Sequence, residues 1–505
     1  MKTADWIAVL IVFLAVAGSV LTSSLVFEEI AHLEDEFAYL WQAEIYSRGD
    51  LAIDSPEFSS SFLVPFVVDY QGQRFSKYPP GWPAVLSLGF QLGIENWVNP
   101  LLAGLAVWLT YRLGKHLFDS RVGILAALLT AVSPLHLIQS GTFLSHTWSL
   151  VLTLIFSLSW FEIVTAEQLK TGMSAWLGSA SAGISLGLLV LTRPLTAIAV
   201  ALPFGIHGLI LLFKKDRFRK VRILSVGTAA VLVGFLLLVW QKALTGDYFT
   251  NPYTLWWPYD RLGFGPGIGV APGGHSLQQA WWNTKHSLRT AAGDLFGWLR
   301  YSWIFLPAGL WAGRKQWKIY PLAGVFISVV GLYMLYWVGS WLLGARYYFE
   351  ALPGAAVLTA AGVIWLAFGS DGAQDKIGSR WMQIRRWIVV GLTVVLICGN
   401  IFYYLPIRLG SLQGLYTIQR SDQEPFRDLE SRGLTPALVI VHSKDWMSYS
   451  SLAQTASPYL DSELIFAWDI GPRTDQALAE SYQEERNVFY YYPKLDPWVL
   501  STSPR

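Results

Sequence analysis

Long apolar stretches separated by short charged loops run through most of the chain. Trp6 to Phe27 carries no charged side chain, and as a helix this stretch extends about 33 Å, enough to cross a ~30 Å hydrocarbon core. It is longer than the apolar core of a signal peptide, so an uncleaved first span is expected. Further spans are expected over 96–111, over 122–161 as a pair, and over 171–192, 194–213, 223–241, 295–313, 319–339, 347–370 and 387–405, about eleven helices in all. After Leu405 the pattern changes: charges become regular, 437–441, 464–467 and 487–491 read as strands, and 474–485 reads as a polar helix. The expected fold is a polytopic α-helical membrane region, residues 1–405, followed by a small extracytoplasmic α/β domain, residues 406–505.

Composition agrees with this class. Of 505 residues, 53% are hydrophobic and 14% charged, against roughly 25% charged in soluble domains. A net charge of +2 gives no electrostatic support for nucleic acid binding. The single cysteine, Cys398, cannot form an intrachain disulfide. Lys and Arg concentrate in alternate loops: Arg112, Lys115 and Arg121; Lys214 to Arg222; Arg314, Lys315 and Lys318; Lys376, Arg380, Arg385 and Arg386. With Lys2 these predict the cytoplasmic face of the cell membrane. The N-terminus is then cytoplasmic, whereas the first loop (about 28–95), a large loop (about 243–294) and the C-terminal region lie outside.

Candidate chemistry gathers on that outer side. Glu34-Asp35-Glu36 and, later, Arg74-Phe75-Ser76-Lys77-Tyr78-Pro79-Pro80-Gly81 share the first outer loop. A carboxylate can take a proton from a hydroxyl while cations hold a phosphate leaving group. At 100° per residue the three acids cannot point into one pocket, whereas His32, Asp35, Tyr39, Gln42 and Tyr46 form a single polar stripe with Asp35 in its middle. Proline after Tyr78 favours extended backbone around Lys77. Arg193 and Arg346 fall at the outer ends of spans, where a cation has either a functional partner or snorkels to the interface. His146 lies on the same side. In the large loop, Trp256-Trp257-Pro258-Tyr259-Asp260-Arg261 precedes a glycine-rich run ending in Gly273-Gly274-His275. That run has no preceding strand and reads as a flexible cover, not a nucleotide site.

Asp35-Glu36-x-x-Tyr39 in the first outer loop, Lys77-Tyr78-Pro79-Pro80-Gly81 later in it, and Arg346-Tyr347 at the outer end of a late span resemble the GT-C superfamily of membrane glycosyltransferases. The nearer likeness is to protein O-mannosyltransferases and aminoarabinose transferases, across residues 6–405. The resemblance implies an inverting glycosyltransferase. It would move a sugar from a polyprenyl-phosphate donor to the hydroxyl of a lipid, glycan or protein acceptor at the outer face. It further implies Asp35 as the catalytic base, supported by Glu36 and Tyr39, and Lys77 as the donor-phosphate ligand, helped by Arg74 and Arg346. Tyr78, Arg193, His146 and His275 are supporting candidates. Ser76 stands where some relatives carry a metal-ligating carboxylate, which predicts at most a weak divalent-metal requirement, with His275 as a substitute ligand. The competing class is a transporter or lipid flippase. No P-loop or obvious inverted repeat of broken helices favours it. A noncatalytic scaffold is a third reading.

Overall fold

A computed structural model describes residues 3–165, 173–369, 380–493 and 499–504; Lys2 and Lys376, used above for orientation, lie outside these. Among the described residues, six helices are long and apolar enough to cross a membrane: Thr3–Leu25, His146–Thr165, Pro194–Leu212, Arg217–Thr245, Arg346–Phe368 and Arg380–Gly410. Ser120–Ala131 and Pro134–Ser140 form a seventh if their pair, bent by 59°, is one span. The bend falls where Ser133 accepts the backbone N–H of His136 and Pro134 begins the second helix, the arrangement that favours a new helix start. This is a multi-pass membrane protein.

Four of the eleven expected segments do not meet that length and apolarity. Glu95–Leu117 is one continuous helix, but Arg112 and Lys115 interrupt its apolar run. Trp176–Thr192 and Ile319–Tyr333 are shorter apolar helices. The expected 295–313 span breaks into a 3-10 turn, Leu299–Tyr301, and an eight-residue helix, Leu306–Gly313, only about 12 Å long. Within that short helix Gly309 packs directly on the next span: a Cβ there would collide with the backbone carbonyl of Leu358.

The ends of the bundle differ in chemistry. At one end Lys115 pairs with Asp5 at 2.5 Å, Lys318 Nζ donates to His116 at 2.9 Å, and Arg121 and Arg386 lie over the Phe368 ring. The helix that ends at Phe368 begins at Arg346, and Arg346 lines a polar cavity at the opposite end.

Between the first two long helices, the first loop folds into the Glu34–Ser47 helix and a small antiparallel sheet. Its strands are β1 (Ile53–Asp54), β2 (Val67–Tyr70) and β3 (Gln73–Ser76), in the order β1-β3-β2. Gln71 and Gly72 both have positive φ, as a two-residue hairpin turn of the favoured twist requires. Beyond residue 405 a second sheet has β4 (Ala437–Val441), β5 (Leu464–Trp468), β6 (Asn487–Tyr492) and β7 (Val499–Ser501), ordered β5-β4-β6-β7. β4 is parallel to both neighbours and buried on both faces, which explains its unbroken apolar run. The polar helix spans Pro472–Tyr482, and β7 had no signal in the strand pattern.

This second sheet grips the first loop. Trp468 N–H donates to the Ser61 carbonyl at 2.6 Å, and Phe62 packs among Leu438, Ile440 and Ile465. Arg48 pairs with Asp461 at 2.6 Å, the Tyr459 hydroxyl donates to Asp50, and Ala31 N–H donates to Gln454.

Candidate active site

The polar stripe on the Glu34–Ser47 helix is largely inward-facing. His32 falls outside the helix, but Asp35 and Tyr39 line the cavity, and the rest of the stripe anchors the loop. Gln42 Oε1 accepts the Ser76 N–H at 2.8 Å, tying the helix to β3, and the Tyr46 hydroxyl accepts Trp240 Nε1 at 3.0 Å.

Glu36 points elsewhere. Its Oε2 accepts the N–H groups of His32 and Leu33, each at 3.1 Å, and its Oε1 accepts the Phe143 N–H at 2.8 Å. Burial pushes this carboxyl up to about 7 against the pull of those three donors. Glu36 therefore caps the helix and joins it to the 141–145 loop, and it does not line the cavity with Asp35.

Lys77 is held by the backbone as the Pro-Pro sequence predicts. Its N–H donates to the Phe66 carbonyl at 2.9 Å, and a helix begins at Gly81. Gly81 is needed there, because a Cβ would meet Thr192 Oγ1 at 2.6 Å and the Leu191 carbonyl at 2.8 Å. This close approach sets the Lys77 segment against the turn that carries Arg193. Pro194 keeps Arg193 out of helical geometry. The freed guanidinium donates to Thr196 at 3.1 Å and to the Tyr333 hydroxyl at 2.9 Å, and lies 2.9 Å from His146 Nδ1. Its nearest carboxylate is Glu350, at 3.9 Å.

The cavity, about 390 Å³, brings Asp35, Tyr39, Tyr78, His146, Arg193 and Arg346 together. Asp35 Oδ2 lies 3.2 Å from Arg346 Nη1, and its Oδ1 accepts the Tyr78 hydroxyl. Lys77 is only 3% exposed and stands behind the cavity wall. Its Nζ pairs with Asp260 Oδ2 at 3.2 Å and lies 3.6 Å from the Phe66 ring centroid, near Trp257 and Tyr253. Burial pushes the ammonium below the ordinary lysine range, and the Asp260 charge opposes that shift.

Besides Glu36, two more expected site residues are elsewhere. Arg74, expected at the donor phosphate, does not line the cavity: it pairs with Asp69 at 2.9 Å and donates to the Phe62 carbonyl at 2.8 Å. Antiparallel pairing sets Asp69 opposite Arg74, so the guanidinium braces the hairpin. His275 is buried outside the cavity, with Nε2 3.0 Å from the Met334 carbonyl and its ring stacked on Phe264. That closes the glycine-rich loop and leaves the ring poorly placed to hold a metal ion. Beside it Gly274 (φ +73°) has no room for a Cβ against the Gly265 carbonyl.

The sequence reading passed over Asp260, Tyr253, Tyr333 and Tyr336, all of which line the cavity. Asp260 had a signal, a single carboxylate in an aromatic-rich outer loop; the tyrosines lacked one, because interfacial aromatic belts produce the same pattern. Among the described residues, the one group of three side chains able to share a metal ion is His442, Asp469 and Asp475, with ligand atoms within 4.8 Å of one another. His442 and Asp469, scattered in sequence, meet there because they follow the adjacent parallel strands β4 and β5.

Residues 77–240 match the family model for dolichyl-phosphate-mannose-protein mannosyltransferases. No curated protein sequence matches the chain significantly. Among solved structures, the chain is similar to ArnT from Cupriavidus metallidurans bound to undecaprenyl phosphate. The TM-score is 0.61 at 11% identity, over 97% of this chain and 93% of that one. It is also similar to the oligosaccharyltransferase AglB from Archaeoglobus fulgidus, in complex with an inhibitory peptide and a dolichol-phosphate. Here the TM-score is 0.52 at 12% identity, over 97% and 70% of the two chains. The chain thus shares the fold of these two structures, and the mannosyltransferase match begins at Lys77.

Proposed function

We propose that this protein is an inverting glycosyltransferase that moves a sugar from a polyprenyl-phosphate donor to an acceptor hydroxyl at the outer face of the cytoplasmic membrane. The observation that carries the reading is the cavity itself, where the Asp35 carboxylate meets Arg346 and shares the lining with Arg193, with Lys77 just behind the wall. Asp35 takes the proton of the acceptor hydroxyl, whose oxygen attacks the anomeric carbon from the face opposite the phosphate. The sugar–phosphate bond breaks as the new C–O bond forms, and the phosphate leaves with the electron pair. Arg346, Arg193 and Lys77 stabilise that charge in a setting where water is partly excluded. Polyprenyl phosphates are bound by ArnT and AglB, which have the same fold. The positive loops, which gather at the end away from the cavity, support an outward-facing site.

The test is the mass of the product after the purified protein is incubated with polyprenyl-phosphate sugars and a membrane extract. A product heavier than its acceptor by one sugar is expected. Absence of transfer with every donor, together with donor movement across vesicles, would instead identify a transporter.

A further inference from the structure

Each cation assigned above to the donor phosphate already faces a carboxylate of the chain. Arg346 has Asp35, Arg193 has Glu350, and Lys77 has Asp260. The third pair differs from the others, because it hides its cation. Tyr78 and Asp260 line the cavity, and Lys77 does not. Asp260, itself buried, thus lies on the cavity side of the ammonium, and a phosphate in the cavity reaches Lys77 only past it.

Asp260 is also held in place on its far side. Its Oδ1 accepts Trp337 Nε1 at 3.1 Å and the Tyr336 hydroxyl at 3.3 Å. Two backbone bonds fasten the flanking loop: Gly263 N–H to the Leu335 carbonyl and Gly269 N–H to the Tyr259 carbonyl. Phe66, Trp257 and Tyr253 surround the ammonium with ring faces, which retain a cation without competing for an anion. Among the described residues, the carboxylate in direct contact with Lys77 is thus that of Asp260.

We propose that Asp260 is an internal competitor for the donor-phosphate site, occupying Lys77 until the lipid phosphate displaces it. The 251–262 segment must then give way, and the backbone at Gly263, φ +123°, is a place where it can pivot. A polyprenyl phosphate that exchanges partners with Asp260 binds; a neutral polyprenol has no charge with which to make the exchange. The proposal rests on the phosphate-site reading of Lys77.

The experiment measures binding of undecaprenyl phosphate, and of undecaprenol as the uncharged control, to the full-length protein in detergent at pH 6.5. Asp260→Asn keeps an oxygen for Tyr336 and Trp337 but removes the competing charge. It should bind undecaprenyl phosphate about tenfold or more tightly than the parent, with undecaprenol binding unchanged. The gain should vanish in the Asp260→Asn/Lys77→Gln double variant. Asp260→Glu, which restores the charge, should return affinity toward the parent. If folded Asp260→Asn binds undecaprenyl phosphate no more tightly than the parent, Asp260 is a support for Lys77 and the proposal is overturned. The Lys77→Gln single variant tests the underlying assignment separately. Unchanged phosphate affinity there removes Lys77 from the phosphate site, whatever Asp260 does.

Discussion

Replacing Asp35 with asparagine separates proton transfer from everything else the residue does. Asparagine keeps the size of the side chain and an oxygen for the Tyr78 hydroxyl, but it cannot take a proton and carries no charge toward Arg346. Loss of a positioned general base costs about 10²–10⁴ in rate, or roughly 3–5 kcal/mol of barrier. The ion pair is of comparable size: at 3.2 Å and an effective dielectric of 20, two unit charges attract by about 5 kcal/mol. That attraction is not lost outright, because Arg346 lines the cavity, where water or the donor phosphate can take the carboxylate's place. The two effects therefore pull apart. Turnover should fall at least about 100-fold, whereas donor affinity should hold or rise as Arg346 is released to the phosphate. Single-turnover transfer at saturating donor, paired with donor binding by calorimetry and a melting curve, reads both quantities. A folded Asp35→Asn protein that transfers sugar within fivefold of the parent rate would refute the assignment of the base.

Three further outcomes follow from the geometry. Glu36→Gln keeps one acceptor oxygen where three backbone N–H groups need two, and should cost about 1–3 kcal/mol of stability; an unchanged melting temperature would show that the clamp between the helix and Phe143 is dispensable. Burial, with the neighbouring Asp469, raises the Asp475 carboxyl to about 7. Because this folded-state value lies above the unfolded one, its contribution to stability is full below about pH 4 and is lost as pH rises through 7. Asp475→Asn should accordingly narrow the difference in melting temperature between pH 5 and pH 8, and an equal difference in both proteins would sink the argument. Finally, with exposed Cys398 replaced by serine, a cysteine near Lys215 should react only from the cytoplasmic side and one near Asp475 only from outside. Labelling of both from the same side would reverse the orientation on which the outward-facing site depends.

Sequence pattern resolved those parts of the protein whose periodicity is enforced locally. β4 was readable because a doubly buried parallel strand must be apolar at every position, and the Asp35–Tyr39–Gln42–Tyr46 stripe because helical spacing alone sets it on one face. The Lys77 segment was readable for a similar reason, since proline fixes its backbone. Arg74 and His275 were misplaced because their partners are set by pairing and loop closure. Asp69 faces Arg74 only once the hairpin register is known, and Met334 meets His275 across 59 residues of chain. Asp260 illustrates the same limit from the other side, because its partner Lys77 is 183 positions away. The close approach at Gly309 is tertiary as well, since it matters only when the Leu358 backbone lies against it.

The grip of the second sheet on the first loop has a consequence for how the protein is made. Asp35 and Lys77 leave the ribosome early, but the groups that fix their loop come some four hundred positions later, with Gln454 binding Ala31 across 423 residues and Asp461 binding Arg48 across 413. Contacts of such separation are the slowest to form, because the entropy of closing the intervening chain is lost before any of them can contribute. A nascent chain with every membrane helix inserted has a first loop held by Phe143, Trp240 and Asp260 but still without its contacts to the second sheet. The loop that carries Asp35 and Lys77 is held from both sides only after the β4–β7 sheet has folded back onto the segment that was synthesised first.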